Sequence, residues 1–405
     1  MIPMQQHFDF CKLSFLCGSE DYLKNCGSCD VKAPFDNDIL AFLEELSKLL
    51  ISSPEAKRFS DIVSFGFFIR KASLKQLKSQ WESRLPKDCL VLGRGTVFHI
   101  APSNVAVNFA YSLAAGLLTG NANIVRLSGK EFPQVKIITE SINKVLEHFP
   151  DLKPYILLLR YEANRDINDY LSSLCSIRII WGGDHTIDEI RKSPLPAQSH
   201  DLTFADRYSV AIISAEDYLQ KDKDKTAEDF FNDTYLFDQN ACSSPRIVIW
   251  TGKETDSARE IFWSKLHDFI KKRYKLQAVQ AVNKLTSSCL TAVSYEGTKI
   301  IRGEDNLITR VELKKTDHNL MQFKDNSGFF FEYRCTDLEE VRVLLNNRKC
   351  QTVGYIGNRD QLVRLLSKGI RGVDRVVPIG QTSVFSLIWD GYKLTDELTR
   401  TVTVL

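Results

Sequence analysis

The stretch DQNACSSPR, Asp238 to Arg246, carries one cysteine, Cys242, between a small polar approach and a Ser-Ser-Pro exit. It follows the helical-looking segment TAEDFFNDTYLF and precedes the apolar run Ile247 to Trp250, so the thiol falls in a loop at a strand end. Opened to a cleft, with backbone N–H groups nearby to stabilise a thiolate or an oxyanion, it is a nucleophile. Closed in, it is a packed thiol, because free cysteine buries well as a small apolar residue. The residue types leave both readings open. Asn104, in HIAPSN, stands where a strand turns into a helix, the place that in a doubly wound sheet faces the ligand crevice. Its amide is either an oxyanion donor or a helix cap.

Other residues offer phosphate or metal chemistry. In IIWGGDHTIDEI, Gly182 and Gly183 end a strand directly before a helix, capped by Asp184 or Thr186, whose N-terminus could face a pyrophosphate. Glycines there are also ordinary turn residues. GRG, Gly93 to Gly95, precedes its strand and lacks a third glycine, so it is not a dinucleotide fingerprint. Cys26 and Cys29 form a C-x-x-C near His7, Cys11 and Cys17, but a second ligand pair has no regular spacing and H-E-x-x-H is absent. The ten cysteines read as dispersed free thiols, and no metal is expected. His99 and His185 read as hydrogen-bonding residues rather than proton shuttles, and Lys271, Lys272, Arg273 and Lys275 as a solvated helix face rather than a coenzyme A phosphate site.

The elements that must position these residues follow from pattern and length. A chain of 405 residues exceeds one small core, and 43% hydrophobic with 26% charged residues is a globular composition. The net charge of +2 gives no electrostatic ground for nucleic acid or an anionic membrane as partner. The start of the sequence lacks a basic region followed by a continuous apolar one, which predicts a cytoplasmic protein. The longest apolar stretch, VAVNFAYSLAAGLLTG, is too short and too interrupted to span a membrane. Residues 1 to about 85 read as mainly helical, with Asp36 or Asn37 capping DNDILAFLEELSKLL. Beyond them GTVFHIAP, NANIVRLS, ILLLR and SIRIIWGG are short strands alternating with helices, which means a parallel doubly wound sheet. A second α/β unit starts near Asp206, with strands YSVAII, RIVIW, GFFFEYR and QTVGYIG.

The segment from Thr96 to Lys130, together with FDQNACSSPR, QTVGY and GVDRVVPIG, resembles the LuxC-type acyl-CoA reductases, a branch of the aldehyde dehydrogenase superfamily. The likeness runs from about residue 90 to near the C-terminus. It implies a Rossmann-type cofactor domain and an α/β catalytic domain meeting across a cleft. The expected division is a helical region at 1–85, a cofactor-binding domain at 86–205 rejoined by about 385–405, and a catalytic domain at 206–384 carrying Cys242. By resemblance Cys242 is the nucleophile and Asn104 the oxyanion asparagine. Ile100, Ala101, Pro102 and Ser103, with Ser128, Gly182, Gly183 and Asp184, then line the cofactor site.

Three departures from the hydrolytic aldehyde dehydrogenases shape the expected reaction. Those enzymes usually carry a Glu in an E-L-G-G-K segment that activates water, whereas DLTFADRYS here has Asp201 and Asp206 but no Glu. An acyl-cysteine without such a base survives to be reduced or exchanged. Relatives that prefer NAD often show K-P-S-E after the second strand, where this chain has Arg126-Leu127-Ser128-Gly129-Lys130. Glycine makes room for a 2′-phosphate and Arg126 or Lys130 supplies positive charge, which predicts NADPH. The E-x-F-G-P segment is not evident before GFFFEYR, and Glu332 is given no role in its place. The resemblance thus implies NADPH-dependent reduction of a long-chain fatty acyl thioester, such as acyl-CoA, to the aldehyde through an acyl-cysteine. It also implies an acyl-protein synthetase partner and a homo-oligomer. The rivals are an acyl transferase using the same cysteine without net reduction, and a non-catalytic scaffold for an acyl-activating partner.

Overall fold

The computed structural model describes residues 10–85 and 88–404, so His7 lies outside the described residues. The chain divides into two compact units. One holds the chain up to Ala205 with Phe385–Ile388 and Tyr392–Leu405, and the other holds Asp206–Val384 with Trp389–Gly391.

The first unit opens with β1 (Ser14–Cys17), α1 (Glu20–Asn25), α2 (Asn37–Ser52), α3 (Ser60–Phe68) and α4 (Lys71–Glu82). The Asp36 carboxylate caps α2 by accepting from the Asp38 and Ile39 amides at 3.0 and 3.3 Å. That helix buries Ile39, Phe42, Leu43, Leu46 and Leu50, the three-and-four spacing of one helical face. The strand β1 was not expected in this region; four residues are too few to display a two-residue period. These 85 residues form no unit of their own but belong to the first one.

Next come β2 (Cys89–Gly93), β3 (Thr96–Ile100), α5 (Asn108–Leu118), β4 (Ala122–Arg126), α6 (Pro133–Leu146), β5 (Ile156–Arg160), α7 (Arg165–Leu174), β6 (Ile177–Trp181), α8 (Asp184–Arg191) and β7 (His200–Phe204). The sheet order is β1-β5-β4-β3-β6-β7, parallel except for β1 at the edge. Strand order reverses between β3 and β6, so the loops leaving these two strands flank the crevice of a doubly wound sheet. Strands β3 and β6 are buried throughout, which is why they read as mainly apolar runs. Thr96 and Arg178 are buried polar residues in them, and so is His99. Its ring bridges the Ser112 hydroxyl at 2.8 Å and the Asn123 Oδ1 at 3.0 Å, and burial pushes its pKa down to about 4, so it stays neutral. Strand β2 pairs antiparallel with the C-terminal strand Thr399–Thr403.

The second unit runs β8 (Tyr208–Ser214), α9 (Ala215–Gln220), α10 (Lys223–Thr234), β9 (Pro245–Thr251), α11 (Thr255–Ile270), α12 (Ala278–Ser294), β10 (Lys299–Arg302), β11 (Thr309–Glu312), β12 (Phe329–Arg334), α13 (Arg342–Leu345), β13 (Cys350–Ile356), α14 (Arg359–Leu366) and β14 (Arg375–Pro378). Its sheet order is β10-β11-β12-β9-β8-β13-β14, parallel except for the β10–β11 pair. The side chains alternate as a pleat demands: Val210, Ile212, Ile247 and Ile249 pack on one face, Ala211, Ile213, Val248 and Trp250 on the other.

Two features here were not legible in the sequence. Glu332, fully buried on β12, is a structural counter-ion. It meets Arg259 at 2.9 Å and accepts from the Trp250 and Trp263 indoles at 2.9 and 2.7 Å. Helix α12 buries Lys284, Ser288 and Thr291, while Val282 and Val293 stand 61% and 88% exposed.

Candidate functional site

The loop that carries Cys242 is built from its flanking polar residues. Asp238 and Gln239 both adopt positive φ, 53° and 58°, a conformation that costs a residue with a Cβ and persists only where its surroundings enforce it. Enforcement comes from side chains. The Asp238 carboxylate accepts from the Tyr274 hydroxyl, from Gln280 at 2.6 Å and from Ser327 at 2.9 Å. The Gln239 amide donates to the Pro245 and Phe329 carbonyls at 2.9 and 3.0 Å and accepts from the Gly328 amide at 3.0 Å. Downstream, the Ser209 hydroxyl donates to the Cys242 carbonyl at 2.8 Å. The polar approach in DQNACSSPR is thus the set of ties that fixes the thiol's backbone.

Cys242 is half-buried, neither sealed in a core nor open on the surface. Gln351 Nε2 donates to its Sγ at 3.2 Å and donates also to the Asp390 carboxylate. Arg207 pairs with Asp374, approaches Asp390 at 3.5 Å and donates to the Cys350 carbonyl at 2.6 Å. Burial, seconded by the Asp390 charge, pushes the Cys242 thiol up to about 12 against the pull of Gln351 and Arg207. At neutral pH the resting sulfur is therefore a protonated thiol. Burial likewise raises Asp390 to about 6, offset by Arg207 and Gln351. Arg246 is buried, donates to the Asp325 carbonyl at 2.8 Å, and has an Nε with no partner among the described residues.

These groups share a location. Arg207 and Cys242 lie just ahead of β8 and β9, Ser209 and Gln351 are second in β8 and β13, and Arg375 opens β14. Parallel strands start together, so their first residues converge at the amino edge of the sheet.

The remaining expected residues lie in the first unit, at the carboxyl edge of its sheet. Asn104 is exposed in the loop between β3 and α5. Ala101, Pro102 and Ser103 precede it, and the Ala101 amide donates to the Arg126 carbonyl at 3.0 Å. Ile100 is a correction at side-chain level: it packs in the core with Phe98, Ile124 and Ile180, so only its backbone reaches the edge. Asp184 is a second correction, for it is the first residue of α8 and not its cap; Gly183, extended at φ −68°, holds that position. Thr186 is inside the helix.

Whether a phosphate-bearing dinucleotide suits this edge can be judged from its atoms. A Cβ at Gly129 or Gly183 would meet nothing within 4 Å, and Gly183 has no positive φ that would demand glycine. The Arg126 guanidinium lies 4.7 Å from the Tyr161 ring centroid. The Nε atoms of Arg126 and of Arg160, at the ends of adjacent strands, are buried with no partner among the described residues. Lys130 reaches over the Phe132 ring at 4.8 Å, and its amide donates to the Ser128 hydroxyl at 3.1 Å. Undersatisfied cations beside open glycine space fit an anionic ligand.

The two acids of DLTFADRYS are both engaged. Asp201 takes a bidentate pair from the buried Arg178 at 2.7 and 3.1 Å, and Asp206 pairs with Lys324 at 2.9 Å. Among the described residues no group of three or more His, Cys, Asp or Glu side chains could hold a metal ion. Cys26 is buried and its thiol raised to about 12 by burial, chiefly, and by Cys29.

A family model described as Acyl-CoA reductase (LuxC) matches residues 71–284, more than half of the chain. The chain belongs to the LuxC acyl-CoA reductase family. Within curated LuxC-like relatives, the long-chain acyl-protein thioester reductase of Aliivibrio fischeri is 22% identical over 74% of this chain and 62% of its own length. That of Vibrio harveyi is 21% identical over 76% of this chain and 63% of its own. The chain thus spans about three-fifths of the length of these relatives. Among solved structures, aldehyde dehydrogenase 21 from Physcomitrella patens superposes with a TM-score of 0.66 at 13% identity, over 95% of this chain and 89% of that one. An oxidoreductase from Marinobacter aquaeolei gives 0.66 at 14% identity, with the same coverage. The LuxC-family chain therefore has the aldehyde dehydrogenase fold, Rossmann-type and α/β, as the sequence led one to expect.

Gln351, Asp390, Arg207 and Arg375 were missed as site residues. Gln351 stands in the quoted QTVGY, and the Asp-Gly of Asp390-Gly391 signals a turn, but neither pattern says which side chain it meets.

Proposed function

We propose that this protein reduces a fatty acyl thioester to the aldehyde through a thioester formed on Cys242. The observation that carries the reading is the half-buried sulfur on a side-chain-locked loop, with an amide donor aimed at it and the neighbouring carboxylate, Asp390, already engaged by Gln351 and Arg207. A carboxylate so engaged is poorly disposed to activate water, so an acyl-cysteine would persist. The names of the curated relatives, which are reductases of acyl-protein thioesters, favour the same substrate class.

In this reading Cys242 gives up its proton and attacks the acyl carbonyl, and the donor thiolate, from coenzyme A or a carrier, departs with its bonding pair and takes up that proton. The Cys242 backbone N–H is the donor proposed for the oxyanion from its own unit, and the family resemblance assigns the Asn104 amide an oxyanion role. A bound dihydronicotinamide would supply hydride. We assign the dinucleotide to the edge formed by residues 101–103, 128–130 and 182–184, and Arg126 and Lys130 beside Gly129 favour the 2′-phosphate of NADPH. A solved 3,6-anhydro-L-galactose dehydrogenase of the same fold, TM-score 0.63 at 14% identity, holds NAP.

The reading includes self-association. Helix α12 has one charged residue, Lys284, and that one is buried. Its exposed Val279, Val282, Thr286, Cys289 and Val293 fall at alternating three- and four-residue steps, a stripe suited to a second helix. A two-fold contact sets the same patch against itself, so a face bearing no charge of one sign to be repelled suits a second copy of the chain. An acyl-activating protein partner remains part of the proposal.

Intact-mass measurement after incubation with tetradecanoyl-CoA, without NADPH, tests the chemistry. One acyl group on the peptide containing Cys242, discharged as tetradecanal when NADPH is added, is the expected result. Acyl exchange without NADPH oxidation would establish the transferase instead, and no adduct would overturn both.

A further inference from the structure

We propose that Gln351, held in one orientation by Asp390, is a positioning residue that donates a hydrogen bond to the Cys242 sulfur whenever that sulfur is an anion. Its catalytic meaning rests on the reading of Cys242 as nucleophile, but its test does not.

Gln351 is fully buried on β13, and the network around it decides which end of its amide faces the sulfur. An ionised carboxylate only accepts hydrogen bonds, so the group beside Asp390 must be the NH2 end. The Thr352 hydroxyl, 3.3 Å from Oε1, can donate to the opposite end. With one hydrogen committed to Asp390, the other points at Sγ from 3.2 Å. Asp390 in turn is placed by a backbone at φ 49° and faces Arg207 at 3.5 Å. Around the sulfur, Asp390 and Asp206 oppose negative charge, while Arg207, Arg246 and Arg375 favour it without donating to it. Among the described residues, Gln351 is the side-chain donor that touches Sγ.

The sulfur would be an anion twice. It is one on attack, when the S–C bond forms and the donor thiolate leaves with its pair. It is one again when the alkoxide left by hydride addition collapses: the C=O bond re-forms, the C–S bond breaks, the pair stays on Sγ, and the aldehyde leaves. A donor that is already oriented needs no reorganisation at either moment.

The test is the rate at which iodoacetamide alkylates Cys242 between pH 7 and 10, read by peptide mass spectrometry on the full chain. The exposed Cys11 serves as the internal reference, and the buried Cys350 reports unfolding. Gln351→Met, close in shape but without the donor, should slow Cys242 alkylation at pH 8.5 by about tenfold, the effect of losing a charge-assisted hydrogen bond. An unchanged or faster rate in Gln351→Met overturns the proposal. Should Gln351→Met label Cys350, the same comparison is made with Gln351→Leu. An acyl adduct absent from the wild-type chain would defeat the catalytic reading while leaving the shift in thiol reactivity as its own result.

Discussion

At the scale of single residues, burial sets the chemistry of the titratable groups. A Cys242 thiol raised to about 12 predicts alkylation that accelerates about tenfold per pH unit through pH 7 to 10 without a plateau, because the thiolate fraction rises in that proportion. A plateau near pH 7, seen in a stopped alkylation series, would contradict it. His99 carries the opposite sign for stability. Its folded pKa of about 4 lies below the unfolded value near 6.5, so the unfolded chain binds the extra proton between them. Its contribution is complete above about pH 6.5 and falls as pH drops toward 4, by up to about 3 kcal/mol. Urea midpoints at pH 7 and pH 5 should differ less in His99→Gln than in the wild type. Cys242 and Asn104 could be singled out in the sequence because each sits in a compact local motif. Gln351 could not, since its partners lie 109 and 39 residues away and only the parallel strand starts bring them together.

At the scale of elements, the end of β4 carries the cofactor prediction. Gly129→Glu would place a carboxylate in open space beside Arg126, neutralising it and repelling a 2′-phosphate. Fluorescence titration should show NADPH binding weakened at least about tenfold, with NADH binding little changed. Equal losses for both would refute the assignment. The elements that were legible are α2, by its three-and-four spacing, and β3 and β6, by short mainly apolar runs bounded by turn residues. Helix α12 escaped notice for a physical reason. Its inward face is Lys284, Ser288 and Thr291, and its apolar residues face out, so pattern and burial disagree. The short β10, β11 and β14 offer too few residues for a period to show.

At the scale of the whole molecule, the α12 stripe should govern assembly. Sedimentation velocity at tens of micromolar should find the wild type self-associated and Val282→Glu/Val293→Glu reduced by one step in size, with unchanged far-UV circular dichroism, because both positions are solvent-facing in the single chain. A monomeric wild type, or a variant of unaltered size, would remove a second copy as the occupant. The boundary expected near Asp206 rests on one strand-helix series giving way to another, whereas the return near 385 is implied only by the family resemblance. That the tip Trp389–Gly391 counts with the second unit was not readable, since nothing local distinguishes it from the chain on either side.

The two candidate sites lie at opposite edges of their own sheets, and the backbone makes those edges electrically unlike. In a parallel sheet with crossover helices, helices begin at the carboxyl edge and finish at the amino edge. Residues 182–184 therefore meet the start of α8, where free amides welcome phosphate. The loop of Cys242 instead follows the finish of α10, where carbonyls crowd together. A sulfur there inherits no help from a helix dipole, and every partial charge that tames it must be delivered by an individual side chain, which makes its reactivity unusually open to adjustment by single substitutions.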